Sequence, residues 1–466
     1  MSKVLAFKGI KPELPAGLIA MQSGSYIEKA AERMRLLMRA LQSRNYRLFF
    51  GGQTLSLIGT WMQQVAMSWL VYRLTGSALL LGVVGFAGQV PSFLLSPVAG
   101  VLADRWNKHR VLLWTQSLSM LQAAVMTALV FTEQVQVWHI VALSLFLGTV
   151  NAFDIPARQS FLIEMIEKRE DLGNAIALNS SMVNGTRLIG PSLAGIVIAA
   201  FGEGICFLLN AASFLAVIAA LAAMRVKKKA ARAVKASVLH ELREGFTYAY
   251  NFPPIRSILL LLALVSLMGV PYTVLLPVFA RDVLHGGAHT FGFLMAAAGL
   301  GAFVSALLLA SRKSVVGLGK VIPVAAGLFG IAVAAFSFSR SLWLSLLLLF
   351  FAGLGMMAQI ASSNTILQTI VDDDKRGRVM SLFTMSFMGM APFGSLLAGA
   401  LAGTIGVTST MFLGGSICFV GSLVFARNLR SLREHILPIY RRKGIIPEVA
   451  VGIHTATELG VPPEEQ

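Results

Sequence analysis

Charged side chains that interrupt long apolar stretches are the residues of this sequence best suited to chemistry. Arg187 lies in one such stretch. Asp154 lies in another, three residues after Asn151 and four before Arg158, and a helix would place all three on one face. A carboxylate there can bind and release a proton, and a buried guanidinium needs an anion or water. We predict that Asp154 interacts with Arg187 or Arg158, as a proton carrier or as a fixed ion pair between helices.

Uncharged polar side chains recur at helical spacing in other apolar stretches. In the first stretch, four of them between positions 53 and 64 would share a helix face that is costly to expose to lipid. We therefore expect such residues to line a central cavity, with helix packing as the alternative for each. The predicted cavity residues are Gln53, Ser56, Thr60, Gln64, Asn151, Tyr272 and Gln359. Because this cavity has many neutral donors and few acids, it suits a bulky amphipathic ligand better than a compact cation.

The composition indicates a chain that lies largely within a membrane. Of its 466 residues, 56% are hydrophobic and 13% are charged, whereas soluble domains are about one quarter charged. Continuous apolar runs, long enough to cross the hydrocarbon core as helices, replace the alternation expected of barrel strands. The predicted spans are 48–72, 79–103, 111–132, 138–160, 174–200, 204–224, 256–280, 289–311, 320–338, 342–366, 379–404 and 408–426. The predicted fold is an all-α membrane protein with twelve transmembrane helices.

The net charge of +17 follows one side of the predicted membrane and does not require nucleic acid as a partner. The two termini and the even-numbered loops carry 35 of the 39 lysines and arginines, with Arg158 counted at the inner end of its span. By the positive-inside rule, both termini are predicted to be cytoplasmic. The start of the chain lacks the features of a signal peptide. The predicted location is the bacterial inner membrane, with membrane lipid as a partner.

Landmarks that recur at a nearly constant separation predict two pseudo-symmetric six-helix bundles. Arg73 corresponds to Arg281, and the motif that begins at Gly190 corresponds to the one at Gly394. The linker between the bundles has amphipathic helical spacing, as does part of the N-terminal extension, and a solvated segment is the alternative for both. The predicted divisions are a cytoplasmic extension with an amphipathic helix at 1–47, bundles at 48–225 and 256–428, a linker at 226–255 and a cytoplasmic tail at 429–466.

The segment from Gly100 to Arg110 resembles the signature loop of the major facilitator superfamily. It reads Gly-Val-Leu-Ala-Asp-Arg-Trp-Asn-Lys-His-Arg and lies between predicted spans two and three. In that superfamily, an aspartate at the position of Asp104 contacts a neighbouring helix N-terminus and latches the two halves. The second half has Ser311 at the equivalent position, so the latch should be single. The resemblance implies a cytoplasmic latch formed by Gly100, Asp104, Arg105, Lys108 and Arg110.

A second motif, Gly-Pro-Ser-Leu-Ala-Gly, extends from Gly190 to Gly195 within predicted span five. Pro191 removes a backbone donor and bends the helix, and the glycines let another helix pack closely. The motif resembles the Gly-Pro-x-x-Gly-Gly element of the superfamily's drug and antibiotic antiporters, with Ala194 in place of one glycine. The resemblance implies export, with an antiporter kink at Gly190, Pro191 and Gly195. An ordinary packing kink is the alternative.

Residues 44–53, 151–159 and 187–191 resemble the branch that contains enterobactin exporters and macrolide efflux proteins. The implied function is export of a siderophore or drug-like small molecule by a monomeric proton antiporter with alternating access. A lysophospholipid or metabolite carrier remains open within transport, and a non-transporting sensor or a membrane enzyme remains open outside it. The sequence has no phosphate-binding loop, metal-spaced His or Cys cluster or nucleophile elbow, so no cofactor or metal is predicted.

Overall fold

In a computed structural model, the chain forms a bundle of long helices. The structure describes residues 38–225, 238–312, 314–372 and 374–443, with the backbone alone for residues 96–98, 100–101, 103–105, 169 and 238–243. Within these residues there are helices and no strand. This confirms the all-α fold.

Twelve long helices, a linker helix and a tail helix make up the described chain. The first six are α1 (Arg44–Thr75), α2 (Ala78–Arg105), α3 (Lys108–Phe131), α4 (Val137–Glu164), α5 (Leu172–Phe201) and α6 (Glu203–Ala222). The linker helix is α7 (Val238–Asn251). The remainder are α8 (Pro253–Val283), α9 (Ala288–Ala310), α10 (Leu318–Phe336), α11 (Leu342–Ile370), α12 (Arg376–Ile405), α13 (Val407–Arg427) and the tail helix α14 (Leu429–Arg442).

Eleven of the twelve long helices are long and apolar enough to cross a membrane by length and composition. The twelfth, α1, is 32 residues long, which is ample, but its polar side chains lower its mean hydropathy. It packs against α5 and α6, and this packing buries some of these side chains, such as Gln53 and Gln63. The fold of twelve membrane helices in two bundles is therefore confirmed.

Glycines with positive φ separate helices at equivalent points of the two halves. Gly202 lies between α5 and α6 with a φ of 81°, and Gly406 lies between α12 and α13 with a φ of 84°. A Cβ at either position would meet no atom within 4 Å, so the backbone conformation, and not the available space, favours glycine. The two positions are 204 residues apart, as are Gly190 and Gly394 in the repeated motif.

The two halves also repeat the same helix packing. In the first half α2 packs on α4, and α3 packs on both α4 and α6. In the second half α9 packs on α11, and α10 packs on both α11 and α13. The halves contact each other through two equivalent pairs, α5 with α9 and α2 with α12. The molecule is thus a pseudo-symmetric pair of bundles with two helix crossings between them.

Two of the helices depart from regular α-helical geometry where they face each other. α8 contains a π-helical turn at Val265–Gly269, and α12 contains one at Met385–Gly389. Ser266 in the first turn donates a hydrogen bond to the carbonyl oxygen of Phe387 in the second. Pro271 has no backbone N–H to continue the helical hydrogen bonds of α8. The helix is therefore interrupted just before the residues that face the first half.

The two ends of the described chain lie at one face of the molecule. Asn45 at the start of α1 donates from Nδ2 to the carbonyl oxygen of Arg225, just after α6, at 3.0 Å. At the end of α14, Lys443 Nζ donates to the carbonyl oxygen of Thr369 at the end of α11, at 2.8 Å. We call this the basic face and the opposite one the far face.

The linker helix α7 docks on the second half at the basic face. Glu244 Oε2 lies 2.7 Å from Nη1 of Arg378 at the start of α12. On another side of α7, the rings of Phe246 and Tyr250 stack with centroids 6.3 Å apart and are exposed. This leaves an aromatic surface beside the membrane helices. The amphipathic helix predicted within 1–47 falls largely on residues 1–37, outside the described residues.

Candidate functional site

Arg187 lies on α5 where the two halves cross. A Cβ at Gly299 of α9 would lie 2.8 Å from the carbonyl oxygen of Arg187, so the backbones of α5 and α9 touch there. Its guanidinium carbon lies 5.6 Å from the ring centroid of Trp61 on α1. The side chain is half-buried. Among the described residues, no carboxylate forms an ion pair with Arg187 within 4.0 Å, and its N–H groups make no hydrogen bond.

Tyr272 of α8 approaches Arg187 from the second half. Its side chain is buried, and its ring centroid lies 6.1 Å from that of Phe329 on α10. Arg187 is near enough to interact electrostatically with the hydroxyl group. Trp61, Arg187 and Tyr272 thus bring α1, α5 and α8 together, and we call these three residues the central group.

Asp154 lies apart from the central group and has other partners. Its Oδ1 accepts hydrogen bonds from Thr115 Oγ1 at 2.7 Å and from Gln116 Nε2 at 2.8 Å, both on α3. Its Oδ2 lies 3.3 Å from Nη2 of Arg158, one turn further along α4. Of the two pairings that the sequence left open, the structure contains the one with Arg158, because this face of α4 is turned towards α3. Arg187 is left without Asp154 as its counter-charge.

The polar residues of α1 separate into a buried pair and an exposed pair. Gln53 and Ser56 are each only 2% exposed and lie in the helix packing. Thr60 and Gln64, further along the same face, are exposed. The exposed pair therefore agrees with the predicted cavity wall. The buried pair agrees with helix packing, which was the alternative for each of these residues. Asn151 on α4 is half-buried.

A buried amide network, which the sequence analysis did not identify, joins three helices of the first half. Gln63 of α1 donates from Nε2 to Oε1 of Gln122 on α3 at 2.8 Å and accepts at Oε1 from Nδ2 of Asn210 on α6 at 2.7 Å. All three residues are less than 5% exposed. The signal was present, since all three are amides within apolar runs, but their partners become visible only in three dimensions.

Gln359 on α11 is completely buried within the second half. Its amide oxygen and nitrogen have no hydrogen-bond partner, and neither has the hydroxyl of Ser362 or Ser363 on the same face of the helix. Unpaired polar groups in a bundle interior are costly. This polar face of α11 therefore has unused hydrogen-bonding groups within the second half.

The kink motif forms part of the contact between the halves. A Cβ at Gly195 would lie 3.1 Å from Gly292 Cα on α9, and a Cβ at Gly292 would lie 2.5 Å from the Pro191 carbonyl oxygen. Within the first half, a Cβ at Gly190 would lie 2.4 Å from Trp61 Cβ. The absence of side chains thus lets α5 touch both α1 and α9 at close range.

Aromatic and charged contacts close the far face between the halves. Trp69 of α1 stacks on Phe291 of α9 with ring centroids 6.4 Å apart. Tyr72, near the end of α1, donates a hydrogen bond to the carboxylate of Asp282 on α8. Arg281 lies over the Tyr72 ring, 5.8 Å from its centroid. Trp69 is eight residues beyond Trp61, about 12 Å along the helix, so this closure lies one layer beyond the central group.

The predicted latch at the basic face is described only in part. Gly100, Asp104 and Arg105 lie in the last turns of α2, where the structure describes the backbone alone. Lys108 Nζ lies 2.9 Å from Glu164 Oε1 at the end of α4. The side chain of Asn107 caps α3 by accepting from the backbone N–H of Arg110 at 3.1 Å.

This architecture of two six-helix bundles matches a known family of membrane proteins. A model of the family described as transmembrane secretion effector matches residues 38–443, which is most of the chain. The chain belongs to this family. It is a member of the major facilitator superfamily, and it is a transporter rather than an enzyme.

Relatives of this facilitator align along most of their length. The staphyloferrin A transporter of Staphylococcus aureus is 28% identical over 81% of this chain and 95% of its own. The multidrug efflux pump Tap of Mycolicibacterium fortuitum is 27% identical over 79% and 92%. Macrolide efflux protein A of Streptococcus pyogenes is 22% identical over 82% and 96%.

Solved structures of other transporters share the fold at low identity. A bacterial homolog of the human lysosomal transporter Spinster superposes with a TM-score of 0.67 at 14% identity, covering 84% of this chain and 97% of that one. The nucleoside transporter NupG superposes with a TM-score of 0.64 at 13% identity, covering 84% and 99%. At these identities the likeness concerns the facilitator fold.

Proposed function

We propose that this facilitator exports small amphipathic organic molecules, of siderophore or drug type, from the bacterial cytoplasm across the inner membrane. The relatives include a staphyloferrin A transporter, a multidrug efflux pump and a macrolide efflux protein, which supports this class of substrate. The observation that carries the proposal is the central group, because it places a cation with free donors and an aromatic ring where the halves meet, one layer below a closed far face.

The basic face is the cytoplasmic one in this proposal. Most lysines and arginines lie in the loops and tails of that face, and the positive-inside rule assigns such loops to the cytoplasm. The close crossings of α5 with α9 and of α2 with α12 occur towards the far face, for example between Gly82 and Gly399. The closed side would then be the external one, and the substrate would enter the central group from the cytoplasm.

Transport would proceed by alternating access, with the halves rocking around the central group. The contacts that must separate for release are those of the far face, and the contacts that must then form are those of the predicted latch around Asp104. Proton antiport would supply the energy. Asp154 is the proposed proton carrier, because it is a buried carboxylate within a span and can exchange its guanidinium partner for a proton.

Deletion of the gene tests the proposed export most simply. Compared with the parent, the deletion strain should secrete less siderophore or become more sensitive to macrolides and other hydrophobic drugs, and the cloned gene should restore the parent phenotype. If secretion and sensitivity are both unchanged while lysophospholipid accumulates in the deletion strain, the lipid-carrier alternative is favoured and the export proposal is wrong.

A further inference from the structure

We propose that the exported substrate carries an anionic group, such as a carboxylate, that binds the guanidinium of Arg187. The inference rests on the proposed export function and adds the chemical class of its substrate. A cation within a membrane span is costly unless it meets an anion or water. Arg187 is half-buried at the junction of the halves, so its position has to be explained by what it binds there.

Two other arginines within or at the ends of the described spans have carboxylate partners. Asp154 is paired with Arg158 at 3.3 Å on α4. At the far face, Arg73 Nε lies 2.7 Å from Glu203 Oε1. Arg187 has no such partner among the described residues, and Asp154 is occupied elsewhere. The uncompensated positive charge at the central group favours a negative guest and disfavours a cationic one.

The contacts of Arg187 also leave its donors available to a ligand. The contact with Trp61 is made over the ring face, 5.6 Å from the centroid, and a cation–π contact of this kind uses none of the N–H groups as hydrogen-bond donors. A guanidinium offers its N–H groups in a planar fork that matches a carboxylate in two parallel hydrogen bonds. The site is therefore prepared for an anionic group.

The surroundings fit the apolar and neutral parts of such a substrate. Trp61 supplies aromatic surface beside the guanidinium, and Tyr272 bounds the group from the second half. Thr60 and Gln64, exposed on α1 next to Trp61, offer neutral hydrogen-bonding groups. An amphipathic acid, with its carboxylate on Arg187 and its apolar body against the aromatic surface, satisfies each of these groups.

Equilibrium binding to the full-length protein in nanodiscs tests this inference. Three fluorescent probes share one framework and differ in charge: 1-pyrenebutyrate, its carboxamide and the corresponding amine. Energy transfer from tryptophan reports binding, with empty nanodiscs subtracted. The variants are Arg187→Gln and Arg187→Lys. The matched control is Arg256→Gln, because Arg256 lies over the Tyr250 ring in a similar contact of 5.3 Å but is exposed at the basic face.

The wild-type protein and the Arg256→Gln control should bind the carboxylate about tenfold or more tightly than the carboxamide, and the amine most weakly. Arg187→Gln should remove this preference while the carboxamide affinity stays the same, which also shows that the variant is folded. Arg187→Lys should retain part of the preference for the carboxylate.

An unchanged preference in Arg187→Gln, or equal binding of the probes to the wild type, would overturn the inference and leave export intact. Binding of none of the three probes would contradict the amphipathic cavity, and the export proposal with it.

Discussion

Tyr72 in the first half donates its hydroxyl hydrogen to the carboxylate of Asp282 in the second half. The two residues lie near the far end of α1 and in the last π-helical turn of α8, and Arg281 covers the tyrosine ring. Separation of the halves at the far face breaks this hydrogen bond. It therefore stabilises the closed state of that face relative to the open one.

Removal of the Tyr72 hydroxyl should shift the protein towards the open far face. Tyr72→Phe keeps the ring under Arg281 but loses a charge-assisted hydrogen bond, worth about 1.5–3 kcal/mol. Spin labels at Gln134→Cys and Arg340→Cys, exposed far-face positions in the two halves, report the opening as longer distances. Tyr250→Phe on α7 is the control and should leave the distances unchanged. Unchanged distances in Tyr72→Phe would show that the hydrogen bond plays no part in closure.

A methyl group at Gly292 should push the halves apart at the same face. The new Cβ would lie 2.5 Å from the Pro191 carbonyl oxygen and 2.8 Å from Gly195 Cα, both backbone atoms that cannot rotate away. We expect Gly292→Ala to lower the thermal stability in detergent and to lengthen the far-face distances.

Gly185→Ala on α5 is the matched control for this prediction. A Cβ at Gly185 would meet no atom within 4 Å, so the substitution should be neutral or stabilise the helix by up to about 1 kcal/mol. Equal behaviour of the two variants would mean that the close crossing of α5 and α9 is not needed for closure.

Substitution should destabilise the protein at only one of two neighbouring glutamines of α1. Gln63→Ala leaves Gln122 and Asn210 without their partner in a buried network, so we expect the protein to lose about 1–3 kcal/mol of stability. Gln64→Ala removes an exposed side chain and should leave the melting temperature unchanged. Thermal unfolding of both variants in the same detergent measures the difference. A stable Gln63→Ala variant would show that the network contributes little.

Substitution of Asp154 should uncouple transport from the pH gradient. Asp154→Asn can still bond Thr115 or Gln116 but cannot alternate between an ionised and a protonated form. We expect it to retain substrate exchange in proteoliposomes and to lose accumulation driven by a pH gradient. Asp372→Asn, which alters the ion pair with Arg442 at the basic face, is the control and should keep accumulation. Full accumulation by Asp154→Asn would contradict proton coupling through Asp154 and leave it only a structural role, in its ion pair with Arg158.

The sequence predicted the architecture because lipid imposes strong rules on it. Long apolar runs have to be helices, and most predicted span boundaries fall within a few residues of the observed helices. The repeated motif at Gly190 and Gly394 predicted the duplication, and the equivalent turns at Gly202 and Gly406 follow it. Such features depend on local composition and are visible in one dimension.

The partners of the buried polar groups could not be predicted in the same way. Asp154 was expected to interact with Arg187 or Arg158. The face of α4 that carries Asp154 is turned towards α3, and the carboxylate pairs with Arg158. Helical spacing placed Gln53 and Gln64 on one face, but it could not show that packing buries the first and exposes the second. Tyr72 and Asp282 carry no sequence motif, and they meet only because α1 and α8 converge at the far face.

Proton movement coupled to substrate movement tests the central claim most directly. The protein is reconstituted into liposomes with an acidic lumen that contains a pH-sensitive dye, and the compound that the deletion strain fails to secrete is added outside. A proton-coupled exporter should accumulate the compound while the lumen becomes alkaline faster than without it. Accumulation with no change in the lumen pH beyond that of protein-free liposomes would contradict proton antiport, and absence of any accumulation would contradict transport of that compound.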